Sequence, residues 1–240
     1  MRPRTLVLLL ACWMVGRSFL IAAPAQPQDS PTQRALRFFQ AVAATDAAAW
    51  MAAARPAPLT QEQRAQAVGV LPEEGELTPT PGERAKLATL GRILAYHERA
   101  QVFETRLIDV PQAVVALYGR AVILISRPAL HLVSAPELQA LAAHEIGHEY
   151  FWPEFERSRA RGDKQGRQEL ELKCDGIAVM TLVALKLDPA RLTEGLHKIW
   201  YFNQALGATA QADQYPTMRD REWLVDAVRT MASRQGVAAK

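Results

Sequence analysis

The sequence predicts an α+β protein, mostly helical, with one small mixed sheet and an edge hairpin set between helical segments. Three observations carry this. Apolar residues recur at helical spacing over most of the chain. β-forming residues concentrate in three short runs between 102 and 126. Gly119-Arg120 separates the last two runs, the signature of a hairpin.

Residues 1–25 read as an address. Met1-Arg2-Pro3-Arg4 is positive, Thr5 to Val15 is nearly all apolar, and Ala23-Pro24-Ala25 offers small residues at a cleavage site. This is the layout of a secretory signal peptide, so the expected destination is the periplasm or the exterior. The alternative is an uncleaved membrane anchor, but the apolar run before Arg17 is too short to span a bilayer. After cleavage Cys174 is the remaining cysteine, so no internal disulfide is expected.

The chain has 240 residues, 49% hydrophobic and 22% charged, an ordinary globular composition. That excludes a disordered, fibrous or multi-span membrane protein, and no integral membrane domain is expected once the signal is removed. The net charge of +3 is owed to Arg2, Arg4 and Arg17, and the mature chain is neutral. A nucleic-acid partner is therefore not expected. Nothing in the sequence sets an oligomeric state.

Residues 26–32 contain Pro27 and Pro31 and read as a linker. Gln33 to Ala54 carries an apolar stripe of Leu36, Phe39, Val42, Ala43 and Trp50 and reads as one helix. Thr60 and Gln63 have capping-box spacing, which opens a short helix to Val68. Leu71 to Gly82 is a proline-rich loop, and Glu83 to Arg99 is a third helix. Together, residues 33–100 form an N-terminal helical region.

Residues 101–235 form the second region. Val102–Val110, Ala113–Tyr118 and Ala121–Ser126 are its strands. Ser134 caps a helix, with Glu137 three positions on, that runs to Trp152, where Pro153 stops it. Phe155 to Gly166 mixes both charge signs and reads as an exposed loop. Helices follow over Gln168–Leu187, Arg191–Leu206 and Arg219–Ala232.

The chemistry lies in His144-Glu145-Ile146-Gly147-His148. Spacing i, i+4 puts both imidazoles on one face of the helix opened by Ser134. Two nitrogens so placed can share one Zn²⁺, and Glu145 can take a proton from water on it. The motif spends two of the five histidines in the chain. A tetrahedral site needs a third protein ligand. Glu171 and Asp175, again i, i+4, supply a ligand and a carboxylate to orient a ligand histidine. Glu169 and the pair Glu222 and Asp226 are competitors for that assignment.

In this order the segments from Val102 to Asp226 resemble the Ste24/HtpX-type zinc metallopeptidases, the M48 family of gluzincins. Pro111 to Leu117 resembles the family's edge strand, Pro136 to His148 its zinc-motif helix, and Glu171 to Asp175 its Glu-x-x-Ala-Asp, with Cys174 in the small-residue place. Tyr215-Pro216 with Arg221 resembles its His-Pro…Arg segment. The resemblance implies a zincin-like fold and one Zn²⁺ per chain, held by His144, His148 and Glu171 rather than Glu222. It implies an endopeptidase acting on exported or misfolded polypeptides, with Glu145 as base and Tyr215 or Arg221 steadying the oxyanion. It also implies that an extended substrate pairs with Ala113, Val114, Val115 and Ala116. Gln112 stands where the family has Asn and Tyr215 where it has His. The second departure keeps an alternative open: a metal-bound protein, weak or inactive in catalysis, that holds extended polypeptides.

Overall fold

The computed structural model describes residues 29–71, 76–208 and 212–238. The expected signal peptide or anchor, residues 1–25, lies outside them.

The first helix starts inside the expected linker. Ser30 and Gln33 form a capping box, and Pro31 occupies the first turn of α1 (Pro31–Ala43). The single helix expected over 33–54 is two. Asp46 accepts hydrogen bonds from the N–H groups of Ala48 and Ala49 at 2.9 and 3.1 Å and opens α2 (Ala47–Ala54). The Thr60–Gln63 box opens α3 (Gln61–Gly69). A Thr80–Glu83 box opens α4 (Pro81–Ala88), and a turn at Thr89–Leu90 separates it from α5 (Gly91–Tyr96).

The sheet has three strands, β1 (Glu104–Ile108), β2 (Val115–Tyr118) and β3 (Val122–Ser126), in the order β1-β3-β2. β1 runs parallel to β3, and β2 runs antiparallel to it with Val115 opposite Ile125 and Leu117 opposite Ile123. Gly119 and Arg120 both have positive φ, 55° and 57°, and Ala121 N–H donates to the Tyr118 carbonyl at 3.0 Å. That is the primed turn a tight hairpin requires. Leu77 N–H donates to the Leu107 carbonyl at 2.8 Å on the far side of β1, which leaves β2 as the open edge.

Ser126 then caps α6 (Arg127–Leu132), which the sequence reading placed in no element. The box of Ser134 and Glu137 opens α7 (Ala135–Tyr150). The expected loop over 155–166 is mostly helix. Pro153 sits in the first turn of α8 (Trp152–Arg161), where its missing N–H costs nothing, and Gly162 ends that helix at φ 63°. Asp163 caps α9 (Lys164–Ala184). α10 (Ala190–Ala205) and α11 (Met218–Ala238) complete the chain.

α7 and α9 cross at the centre of the core. α1 and α11 pack on α9, and α10 and β2 pack on α7. Leu138, Ile146, Leu172 and Ile177 are wholly buried there. The architecture is α+β, mostly helical with a small mixed sheet. No described helix is long and apolar enough to cross a membrane.

Candidate metal centre

His144 and His148 stand one turn apart on α7, their rings nearly perpendicular with centroids 5.1 Å apart. Glu171 and Asp175 stand one turn apart on α9. The two pairs meet because Gly147, between the histidines, lets the helices touch. A Cβ at Gly147 would lie 2.8 Å from the Cα of Cys174. Cys174 is accordingly a wholly buried small residue against α7.

The Nε2 atoms of His144 and His148 lie 3.5 and 3.7 Å from the two carboxylate oxygens of Glu171. Two ligand atoms of a tetrahedral Zn²⁺, each about 2.1 Å from it, stand about 3.4 Å apart. The spacing therefore fits one such ion. Glu145 and the two histidines also lie within 4.8 Å of one another. Glu145 Oε2 is 4.0 Å from His148 Nε2, farther than either Glu171 contact.

Asp175 is wholly buried and lies 2.8 Å from His144 Nδ1. In the neutral ring, Nδ1–H donates to Asp175 and the Nε2 lone pair faces Glu171. Arg221 Nη1 donates to both oxygens of Asp175 at 2.7 and 2.9 Å, and its Nη2 donates to Glu171 at 2.9 Å. The expectation that Arg221 steadies an oxyanion is corrected here. Its guanidinium is buried and spent on two carboxylates, so it positions them instead.

The charges call for a positive group at the same place. Three carboxyl groups, Glu145, Glu171 and Asp175, share a largely buried site with two imidazoles and one guanidinium, which binds Glu171 and Asp175. A positive charge between the imidazoles, a proton on His144 or a cation, offsets the carboxylates. The site's titration shows the same demand. Burial opposes charge on His144, but Asp175 and Glu171 outweigh it and push its pKa up to about 10. Burial would raise the Glu171 pKa, yet His144, His148 and Arg221 hold it well below the usual carboxylate range. Burial raises that of Glu145, against the pull of His148 and His144.

The open edge lies against this site in a register the sequence did not show. Leu117 N–H donates to Glu145 Oε2 at 2.8 Å. Ala113 is buried, and Asn203 of α10 binds both its N–H and its carbonyl, at 2.8 and 2.9 Å. Val114 spends its N–H on Ser126 Oγ and its carbonyl on Ser126 N–H. Ala116 follows Val114 in pointing its main chain at β3, as an antiparallel ladder alternates. So three of the four residues expected to pair with a peptide are engaged elsewhere. The outward groups belong to Val115 and Leu117.

Tyr215 is half exposed, and its hydroxyl has no hydrogen-bond partner among the described residues. Partial burial raises its pKa, and the charges of Glu171 and Glu145 add to the effect. The competing carboxylates are occupied. Glu169 pairs with Arg34 and Lys173, and exposed Glu222 lies 3.4 Å from His197.

Sequence reasoning missed Leu117, whose role depends on register, and Asn203, which carries no motif. The small residues Gly147 and Cys174 were the available sign of the helix crossing. No protein-family model matches the chain, and no curated protein matches it.

Proposed function

We propose that the protein is a zinc-dependent metalloendopeptidase of exported or misfolded polypeptides, of the Ste24/HtpX type its motifs resemble. The observation that carries this is the facing of two histidine Nε2 atoms by Glu171 at 3.5 and 3.7 Å, with Glu145 alongside and bound to an open strand edge. His144, His148 and Glu171 would hold one zinc ion. Bound there, zinc would supply Lewis acidity and lower the pKa of a water molecule.

The chain's own residues do the rest. Asp175 holds the His144 ring in one tautomer. Leu117 N–H orients the Glu145 carboxylate, which accepts the proton of the attacking water and returns it to the leaving amine. Val115 offers its main-chain groups to an extended substrate by strand addition. The Tyr215 hydroxyl is the remaining donor for a developing oxyanion. Export after removal of residues 1–25 belongs to the same proposal.

One observation favours the second reading, a metal-bound module that holds extended polypeptides with little or no hydrolysis. Of the two expected oxyanion donors, Arg221 is buried and bound to Asp175 and Glu171, and Tyr215 is half exposed.

Metal analysis by mass spectrometry tests the proposal. The wild type and Glu222→Ala should each carry one zinc, and Glu171→Ala should not. Glu145→Gln should keep the zinc and lose cleavage of an unfolded protein. Absence of metal in the wild type removes the site, and retained cleavage in Glu145→Gln removes the base. Full zinc with saturable peptide binding and no cleavage selects the second reading.

A further inference from the structure

We propose that Arg120, at the tip of the β2–β3 hairpin, is a positioning residue that fixes the spacing between the peptide-pairing edge of β2 and the metal-binding helix α7. The inference rests on the reading of β2 as a peptide edge.

Arg120 is a costly residue where it stands. Its φ of 57° lies in the left-handed region, which costs a residue other than glycine about 1 kcal/mol. Its Nε is buried with no hydrogen-bond partner among the described residues. The turn alone would be served better by glycine or asparagine. The side chain accounts for its presence. Nη2 donates to the Ala57 carbonyl at 2.9 Å and to Glu149 Oε1 at 3.3 Å.

Glu149 is almost wholly buried and follows directly on His148. Charge balance does not require Arg120. Buried Arg99 already donates to Glu149 Oε2 at 2.7 Å and anchors to the Pro56 carbonyl at 2.6 Å. What Arg120 adds is a link between the hairpin and α7.

That link completes a set. Leu117 binds Glu145, and Arg120 binds Glu149, one helical turn further along α7. Asn203 holds Ala113 at the other end of the strand. The edge is thus fastened at its start, its middle and its tip, with the open groups of Val115 between the first two. Without Arg120 the tip keeps its pairing with β3 and the bond from Glu104 N–H to the Ala121 carbonyl, but it loses its tie to α7.

The test is Arg120→Gly in the full metal-loaded chain, which removes the link and relieves the backbone at once. Hydrogen exchange of the β2 amides should quicken about tenfold, while α7 and α9 keep their protection and zinc stoichiometry is unchanged. For an extended peptide substrate KM should rise about tenfold with kcat nearly constant. Arg120→Lys, which keeps a cation near Glu149, should recover part of both. Unchanged exchange at β2 overturns the proposal, as does loss of zinc or general loosening in both variants, which would make Arg120 a fold determinant. A wild type that neither cleaves nor binds extended peptides defeats the peptidase reading instead, and the exchange result still decides the role of Arg120.

Discussion

Gly147 and Cys174 form the contact that brings α7 and α9 together at the candidate metal site. A Cβ at position 147 would stand 2.8 Å from the Cα, 3.0 Å from the Cβ and 3.1 Å from the carbonyl oxygen of residue 174. Two of those three atoms are main chain, so the helices must part to admit it. Overpacking of this kind costs about 1–3 kcal/mol. Gly147→Ala should lower the unfolding temperature by about 5 °C and weaken zinc binding. Gly91→Ala, where a Cβ meets open space at the start of α5, should leave both unchanged or slightly improved. Calorimetry and a zinc titration check this, and equal behaviour of the two variants would refute it.

Arg221→Met should be among the most damaging substitutions outside the ligands. It strips a buried guanidinium from Asp175 and Glu171 and leaves both carboxylates short of positive charge. Breaking such a network costs about 3–5 kcal/mol. Zinc affinity should fall about 10–100-fold through misorientation of Glu171 and, by way of Asp175, of His144. Competition with a chromophoric chelator reads the affinity, and urea unfolding reads the stability.

Asn203→Ala removes the amide that binds both main-chain groups of buried Ala113. Two buried polar groups lose their partners, at about 1–3 kcal/mol each. The variant should be about 2 kcal/mol less stable, with faster amide exchange confined to the start of β2. Exchange as slow as in the wild type would show that the amide merely fills space.

The buried His97 sets an acid limit. Its Nδ1 lies 3.0 Å from the Tyr150 hydroxyl and its Nε2 3.0 Å from Thr181 Oγ1. Thr181 donates to the Ile177 carbonyl, so it accepts from His97 Nε2–H, and Nδ1 accepts from Tyr150. That arrangement needs the neutral ring. Burial first, then the charges of Arg55 and Arg99, lower its pKa from 6.5 to about 3. The unfolded chain takes this proton below about pH 6.5, whereas the folded chain resists until about pH 3. The contribution is therefore complete above pH 6.5 and is lost as pH falls towards 3. The loss reaches about 2 kcal/mol by pH 5. Urea unfolding at pH 7 and pH 5 should show that extra loss in the wild type relative to His97→Gln. A constant difference between the two proteins would exclude it.

Much of the site was legible because its signals are local. The i, i+4 pairs on α7 and α9, the Ser134–Glu137 box and the Gly119-Arg120 turn each lie within a few residues. The edge was misread because side-chain alternation says nothing about which main-chain N–H points outward. That is set by pairing with β3 and by Ser126 and Asn203, which are distant in sequence from Ala113 and Val114. Pro153 was read as an end of one helix, but the first turn of the next tolerates it equally well. Arg221 was assigned to the substrate because sequence does not show that two carboxylates claim it first.

The wide separation of Arg221 from His144, His148 and Glu171 ties the candidate site to the docking of a distant helix. His144, His148 and Glu171 lie on neighbouring helices of one stretch, while the guanidinium that offsets the carboxylates comes fifty residues after Glu171. Any form of the chain in which α11 is undocked from α9 leaves Glu171 and Asp175 without that guanidinium, so the seating of a distant helix and the charge of the candidate site are one event.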